Sequence, residues 1–137
     1  MYGASGALRS NLLEEYDVTV VPAGVWARLA RWYGGGPELP RRVISTGTYI
    51  KRKQVEIYPL RLKVVWNARP AEETEFLLSR VTKLAEVKRL VCAKLAVPEA
   101  DARLWNYFAG IRHEELDQPE MSLDDARISD GQKLLLE

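Results

Sequence analysis

The clearest alternation of apolar and polar positions runs from Gln54 to Trp66. Val55, Ile57, Leu60, Leu62, Val64 and Trp66 fall largely at every second place, while Arg61 and Lys63 turn the other way. That period predicts one long strand, with Pro59 marking an edge or a bulge. The polar run Glu72–Glu75 predicts a hairpin connection, and Phe76–Val81 a second strand. Thr82 is placed to cap a helix from Lys83 to Leu95, whose stripe of Leu84, Val87, Leu90, Val91 and Leu95 recurs at helical spacing. After Pro98 the pattern predicts a strand over Arg103–Phe108, a turn at Ala109-Gly110 and a short edge strand over Glu114–Asp117. A helical turn over Ser122–Ile128 follows, and Asp130-Gly131 turns into a last strand over Lys133–Glu137.

The N-terminal part is less self-sufficient. Tyr16–Val21 is rich in β-branched residues and stops at Pro22, which predicts a short strand. Val25, Trp26, Leu29, Trp32 and Tyr33 then give a helix from Ala23 to Trp32 one wide apolar face. Gly34-Gly35-Gly36-Pro37 ends it. Three glycines favour a turn with positive φ or a close backbone approach, so this loop is a candidate contact site as well as a helix stop. Arg41–Ile44 reads as a strand pairing antiparallel with Val18–Val21. One helix and two strands fall below the size that usually supports a domain. The expected organisation is an incomplete α+β segment over 1–47, a linker over 48–53 and a complete α+β domain over 54–137.

Composition fits a folded chain: of 137 residues, 47% are hydrophobic and 28% charged, where disorder needs fewer apolar side chains. Met1–Arg9 lacks the order of a signal peptide, and no apolar run reaches the length of a membrane span. One cysteine, Cys92, builds neither an internal disulfide nor a multi-thiolate zinc site, which suits a reducing compartment. A cytoplasmic or nuclear protein without metal or cofactor is the expectation. The net charge of +1 hides an asymmetry: Met1–Pro70 holds eleven Lys and Arg against five Asp and Glu, and Ala71–Glu137 nine against fourteen. Basic and acidic faces of this kind steer partners.

Reactive-looking residues offer little chemistry. Cys92 sits inside the helical stripe, where cysteine acts as a small apolar filler rather than an activated nucleophile. His113 lies in a charged turn beside Glu114 and Glu115. Arg41, Arg42, Lys51, Arg52, Lys53, Arg61 and Lys63 are clustered enough to touch phosphates. The alternation of Arg61 and Lys63 fits a solvated sheet face, so a protein-binding surface including Arg41 and Arg42 is the stronger reading.

The element order is that of the ubiquitin β-grasp. Arg103-Leu104 through Phe108-Ala109-Gly110, then Glu115-Leu116, Ser122-Leu123 and Ile128, resembles the ubiquitin stretch from its third strand to its last. More closely, Glu56–Leu62, Arg103–Phe108 and Asp130–Glu137 resemble the ubiquitin-like domain that follows the DUSP domain of ubiquitin-specific proteases. Val21-Pro22, Val25-Trp26, Leu29, Trp32–Pro37 and Arg42–Ile44 resemble the C-terminal half of that DUSP domain. The resemblance implies a truncated DUSP remnant followed by a ubiquitin-like β-grasp. It also implies a non-catalytic module that binds protein partners, among them a protease catalytic domain or its regulators. The family's cysteine and histidine boxes have no counterpart here. The alternative is a fragment of an active cysteine-type deubiquitinase whose catalytic domain lies elsewhere. A conjugated modifier is disfavoured, since Leu135-Leu136-Glu137 carries no Gly-Gly tail. By alignment with ubiquitin, Trp105 falls at or beside the centre of ubiquitin's recognition patch. It is a candidate anchor if exposed, with inward packing the competing reading.

Overall fold

The computed structural model describes residues 8–9, 12–47 and 49–137. The chain divides into two compact units, Met1–Arg42 and Val43–Glu137.

The first unit is built on α1 (Ala23–Tyr33). Pro22 supplies the carbonyl that accepts from the Val25 and Trp26 N–H groups, at 2.9 and 3.0 Å, at the helix start. Gly34, at φ +68°, ends the helix by donating its N–H to the Ala30 carbonyl. None of the residues of α1 is buried. The strand expected over Tyr16–Val21 does not form. The Asp17 carboxylate accepts from the Leu13 N–H at 2.9 Å and the Asp17 N–H returns to the Leu13 carbonyl, closing a local turn. Such a side-chain loop competes with extended pairing, and among the described residues Val18 keeps an isolated bridge with Glu14.

β1 (Arg42–Thr46) therefore pairs not with Val18–Val21 but with β2 (Arg52–Glu56), in a two-stranded sheet. The long strand expected over Gln54–Trp66 is also divided. β2 ends at Glu56, and β3 (Leu60–Trp66) starts after Pro59 in a different sheet, because proline has no N–H for a ladder. Glu56 is 6% exposed, and its carboxylate accepts the Arg80 N–H at 2.7 Å, tying β2 to the chain beyond the next two strands.

The second unit carries a five-stranded sheet. Its strands are β3, β4 (Arg69–Leu78), β5 (Leu104–Phe108), β6 (Ile111–Glu115) and β7 (Lys133–Leu136), in the order β4-β3-β7-β5-β6. β3 and β7 run parallel in the centre, and the other neighbours are antiparallel. The β3–β4 hairpin turns at Asn67-Ala68 rather than at Glu72–Glu75, which lie within β4 as charged residues of an edge strand. β6 begins directly after Ala109 and Gly110, both at positive φ, three residues before the expected Glu114.

α2 (Leu84–Leu95) crosses one face of the sheet. Thr82 does not cap it. The helix follows Lys83, and the Leu84 and Ala85 N–H groups donate to the carbonyls of Met121 and Pro119 at 2.8 and 3.1 Å. Leu60, Leu62 and Val64 meet Leu84, Val87, Val91 and Cys92 beneath it, with Leu104, Leu123, Ile128, Leu134 and Leu136 completing the core. Burying each such side chain contributes roughly 1.5–3 kcal/mol. The segment 122–128 is a run of turns, held at its start by Ser122 Oγ and the Asp125 carboxylate at 2.7 Å.

Candidate protein-binding face of the sheet

Strand pleating sends alternate residues to opposite faces. Since Val64, Leu104, Leu134 and Leu136 point into the core, their neighbours Val65, Trp105 and Leu135 share the opposite face. The register sets them in a row across three strands: Val65 pairs with Leu135, and Leu135 with Trp105. Val65 is only 3% exposed and Leu135 9%, although α2 lies on the other side.

Trp105 is half-buried in this row. The Arg112 guanidinium lies 5.0 Å from the centre of its ring, and Arg112 Nη1 donates to both carboxylate oxygens of Glu137 at 2.7 Å. Trp105 Nε1 is the one buried side-chain polar atom among the described residues that meets no hydrogen-bond partner. Around this apolar row stands a rim of charge. Glu73 is bonded to Lys133 and lies 3.6 Å from Lys63. The Lys133 bond holds its carboxyl below the ordinary range. Asp130 accepts from the Arg61 side chain at 3.0 Å and from its N–H at 2.7 Å, and is likewise lowered. A cleft beside the row is lined by Val65, Tyr107, Phe108, Gln132 and Lys133. At its end Phe108 and Ile111 are exposed on the β5–β6 turn. The face thus has a buried apolar centre in Val65 and Leu135, a half-buried aromatic ring at one end and paired charges around it.

The other sequence-derived candidates lie apart from Trp105 in the chain. Gly34, Gly35, Gly36 and Pro37 are exposed after α1, in the first unit. Arg41 donates to the Pro40 carbonyl at 3.0 Å, and exposed Arg42 opens β1. Cys92 is buried in the core, where desolvation pushes its thiol upward, away from the thiolate a nucleophile needs. Sequence reasoning passed over Val65, Leu135 and Arg112. The signal was present in Leu134-Leu135-Leu136: three apolar residues in a row on a strand force the middle one onto the opposite face.

A profile of the DUSP domain matches residues 4–45. Over 95% of its length the chain is 35% identical to an inactive ubiquitin-specific protease 5 of rice, and 37% identical to a putative ubiquitin carboxyl-terminal hydrolase 11 of Arabidopsis thaliana. Over 97% of its length it is 31% identical to mouse ubiquitin carboxyl-terminal hydrolase 4. The chain spans 34% of the rice relative and 15% and 14% of the other two. Among solved structures, the ubiquitin-like domain of mouse tubulin-specific chaperone e aligns with a TM-score of 0.50 at 24% identity, over 58% of this chain and 84% of that one. A ubiquitin-like domain from tubulin-binding cofactor B gives 0.50 at 18%, over 58% and 88%. These two likenesses bear on the fold, and they agree with the β4-β3-β7-β5-β6 sheet crossed by one helix. The chain is thus a DUSP segment followed by a ubiquitin-like β-grasp region, similar over nearly its whole length to ubiquitin-specific proteases.

Proposed function

We propose that this chain is a non-catalytic interaction and regulatory module of a ubiquitin-specific protease, acting in deubiquitination by binding a partner or tuning the protease domain through the Val65–Leu135–Trp105 face. The observation that supports the reading is Trp105 itself. A half-buried tryptophan, at the end of an apolar row beside Leu135 and bordered by Arg112, has the make-up of an interface anchor. Calorimetric titration against a ubiquitin-specific protease catalytic domain, and against ubiquitin, tests it. Trp105→Ala is expected to weaken binding by about tenfold or more, and Arg112→Glu to weaken it with the fold intact by circular dichroism. Binding that survives both substitutions, or none by the unaltered chain, rules the reading out.

A second reading, a fragment of an active cysteine-type deubiquitinase, draws support from relatives named as hydrolases of which this chain spans 14–15%. Sequencing the transcript past Glu137 separates the two. A cysteine box and a histidine box downstream make the parent an enzyme, and an intact transcript without them leaves the module on its own.

A further inference from the structure

β4 forms one edge of the five-stranded sheet, and its regular ladder against β3 runs from Glu73 opposite Val65 to Leu78 opposite Leu60. Which of its backbone groups face outward follows from the bonds of β3. The Lys63 N–H donates to the Gln132 carbonyl at 3.0 Å, and the Arg61 carbonyl accepts from the Gly131 N–H at 2.7 Å. The odd-numbered residues of β3 therefore spend their backbone groups toward β7. Their partners across the hairpin, Leu77, Glu75 and Glu73, form the pairs that do not bond β3, so their own N–H and C=O groups point out of the sheet. A separate contact agrees: Lys94 Nζ, at the end of α2, donates to the Glu75 carbonyl at 3.1 Å.

Three consecutive outward residues are enough to template another strand. Their side chains specify which. Leu77 is 64% exposed, Glu75 is exposed and forms no ion pair within 4 Å among the described residues, and Glu73, two places on, is exposed with its carboxylate already shared between Lys133 and Lys63. A second copy of this chain, in the antiparallel register that uses all three, would set Glu75 against Glu75, and like charges directly opposite are unfavourable. We propose that the free edge of β4 docks an extended segment of a partner protein, which joins the sheet as a sixth strand. That segment places an apolar residue opposite Leu77 and Lys or Arg opposite Glu75 and Glu73. On docking, the segment's backbone N–H replaces Lys94 at the Glu75 carbonyl.

The test uses the whole chain, 15N-labelled, with a capped heptapeptide Thr-Val-Thr-Lys-Thr-Lys-Thr. Binding is expected to move the amide signals of Glu73, Glu75 and Leu77 and to slow their hydrogen exchange. Replacing both peptide lysines by glutamate is expected to weaken it by about tenfold or more, and N-methylating the first lysine's amide to abolish it. Leu77→Pro removes one outward N–H and none from the ladder, so it should lose the peptide at an unchanged melting temperature. Where that variant fails to fold, the N-methylated peptide decides. Trp105→Ala should leave peptide binding intact, which keeps this surface distinct from the face proposed above. Equal affinity for the lysine and glutamate peptides, unmoved edge amides, or self-association through β4 without peptide each overturns the proposal.

Discussion

α1 and α2 are nearly the same length, eleven and twelve residues, and both carry an apolar stripe at helical spacing. Their fates differ. α2 buries Leu84, Val87, Val91 and Cys92 against the sheet, whereas α1 leaves Val25, Leu29, Trp32 and Tyr33 exposed. Periodicity settles that a segment coils and which side is apolar. What stabilises it is the surface that covers that side, and most helical stability in proteins comes from such packing. α2 has Leu60, Leu62 and Val64 beneath it. Among the described residues of the first unit no such layer buries a residue of α1.

The contrast can be broken or sharpened by mutation. The largest effect is expected from Leu134→Ala in the centre of the sheet, fully buried, at about 2–5 kcal/mol in denaturant unfolding. A cost below about 1 kcal/mol would mean that the core is not as close-packed as its burial implies. Glu56→Ala leaves the Arg80 N–H without its acceptor and should cost roughly 1–3 kcal/mol. Hydrogen exchange at Arg80 should accelerate in that variant, and an unchanged rate would deny the tie between β2 and the rest of the unit. A smaller effect concerns pH. Glu73, Glu86, Asp125 and Asp130 all have folded values lowered by hydrogen bonds, from Lys133, Arg89, Ser122 and Arg61 respectively. A lowered carboxylate adds stability above its unfolded value, and that contribution is lost as pH falls through the folded one. The unfolding midpoint of the second unit should therefore decline as pH drops below about 4.5 and hold steady between about 5.5 and 7. A midpoint independent of pH down to 3 would show these exposed pairs to be energetically silent. Least of all, Trp32→Ala on α1, at 69% exposure, should change stability by no more than about 0.5 kcal/mol. A loss of several times that would show its indole to be covered in solution.

Much of the β-grasp was legible because its buried residues repeat with the period of the element that carries them. α2, β5 and β7 fall within about a residue of where the helical stripe or the alternation places them, and β3 ends where the alternation ends. The misreadings share a physical origin in backbone partners, which side-chain patterns do not encode. Tyr16–Val21 has strand composition, but Asp17 folds back on Leu13. Val55 and Ile57 continue the alternation of β3, yet Pro59 cannot donate and the chain changes sheets. Glu72–Glu75 looked like a loop because nothing local distinguishes a charged turn from a charged edge strand. Of the candidate face, Trp105 was singled out by its place in the alignment, whereas Val65 and Leu135 carried only the signal of an apolar residue between apolar neighbours, and the register is what sets them in one row with Trp105.

The bonds at the start of α2 bear on when the domain can form. The first N–H groups of the helix find their acceptors at Pro119 and Met121, more than thirty residues downstream, and the central strand β7 is the last element of the sheet. Closing loops of that length precedes any return from the contacts they make, which slows folding relative to chains built from near neighbours. On a ribosome the β3–β4 hairpin and the helix stripe would emerge with their apolar sides open. They would stay so until Lys133–Leu136 had cleared the exit tunnel, so this region is expected to fold in one late, cooperative step rather than progressively as it is synthesised.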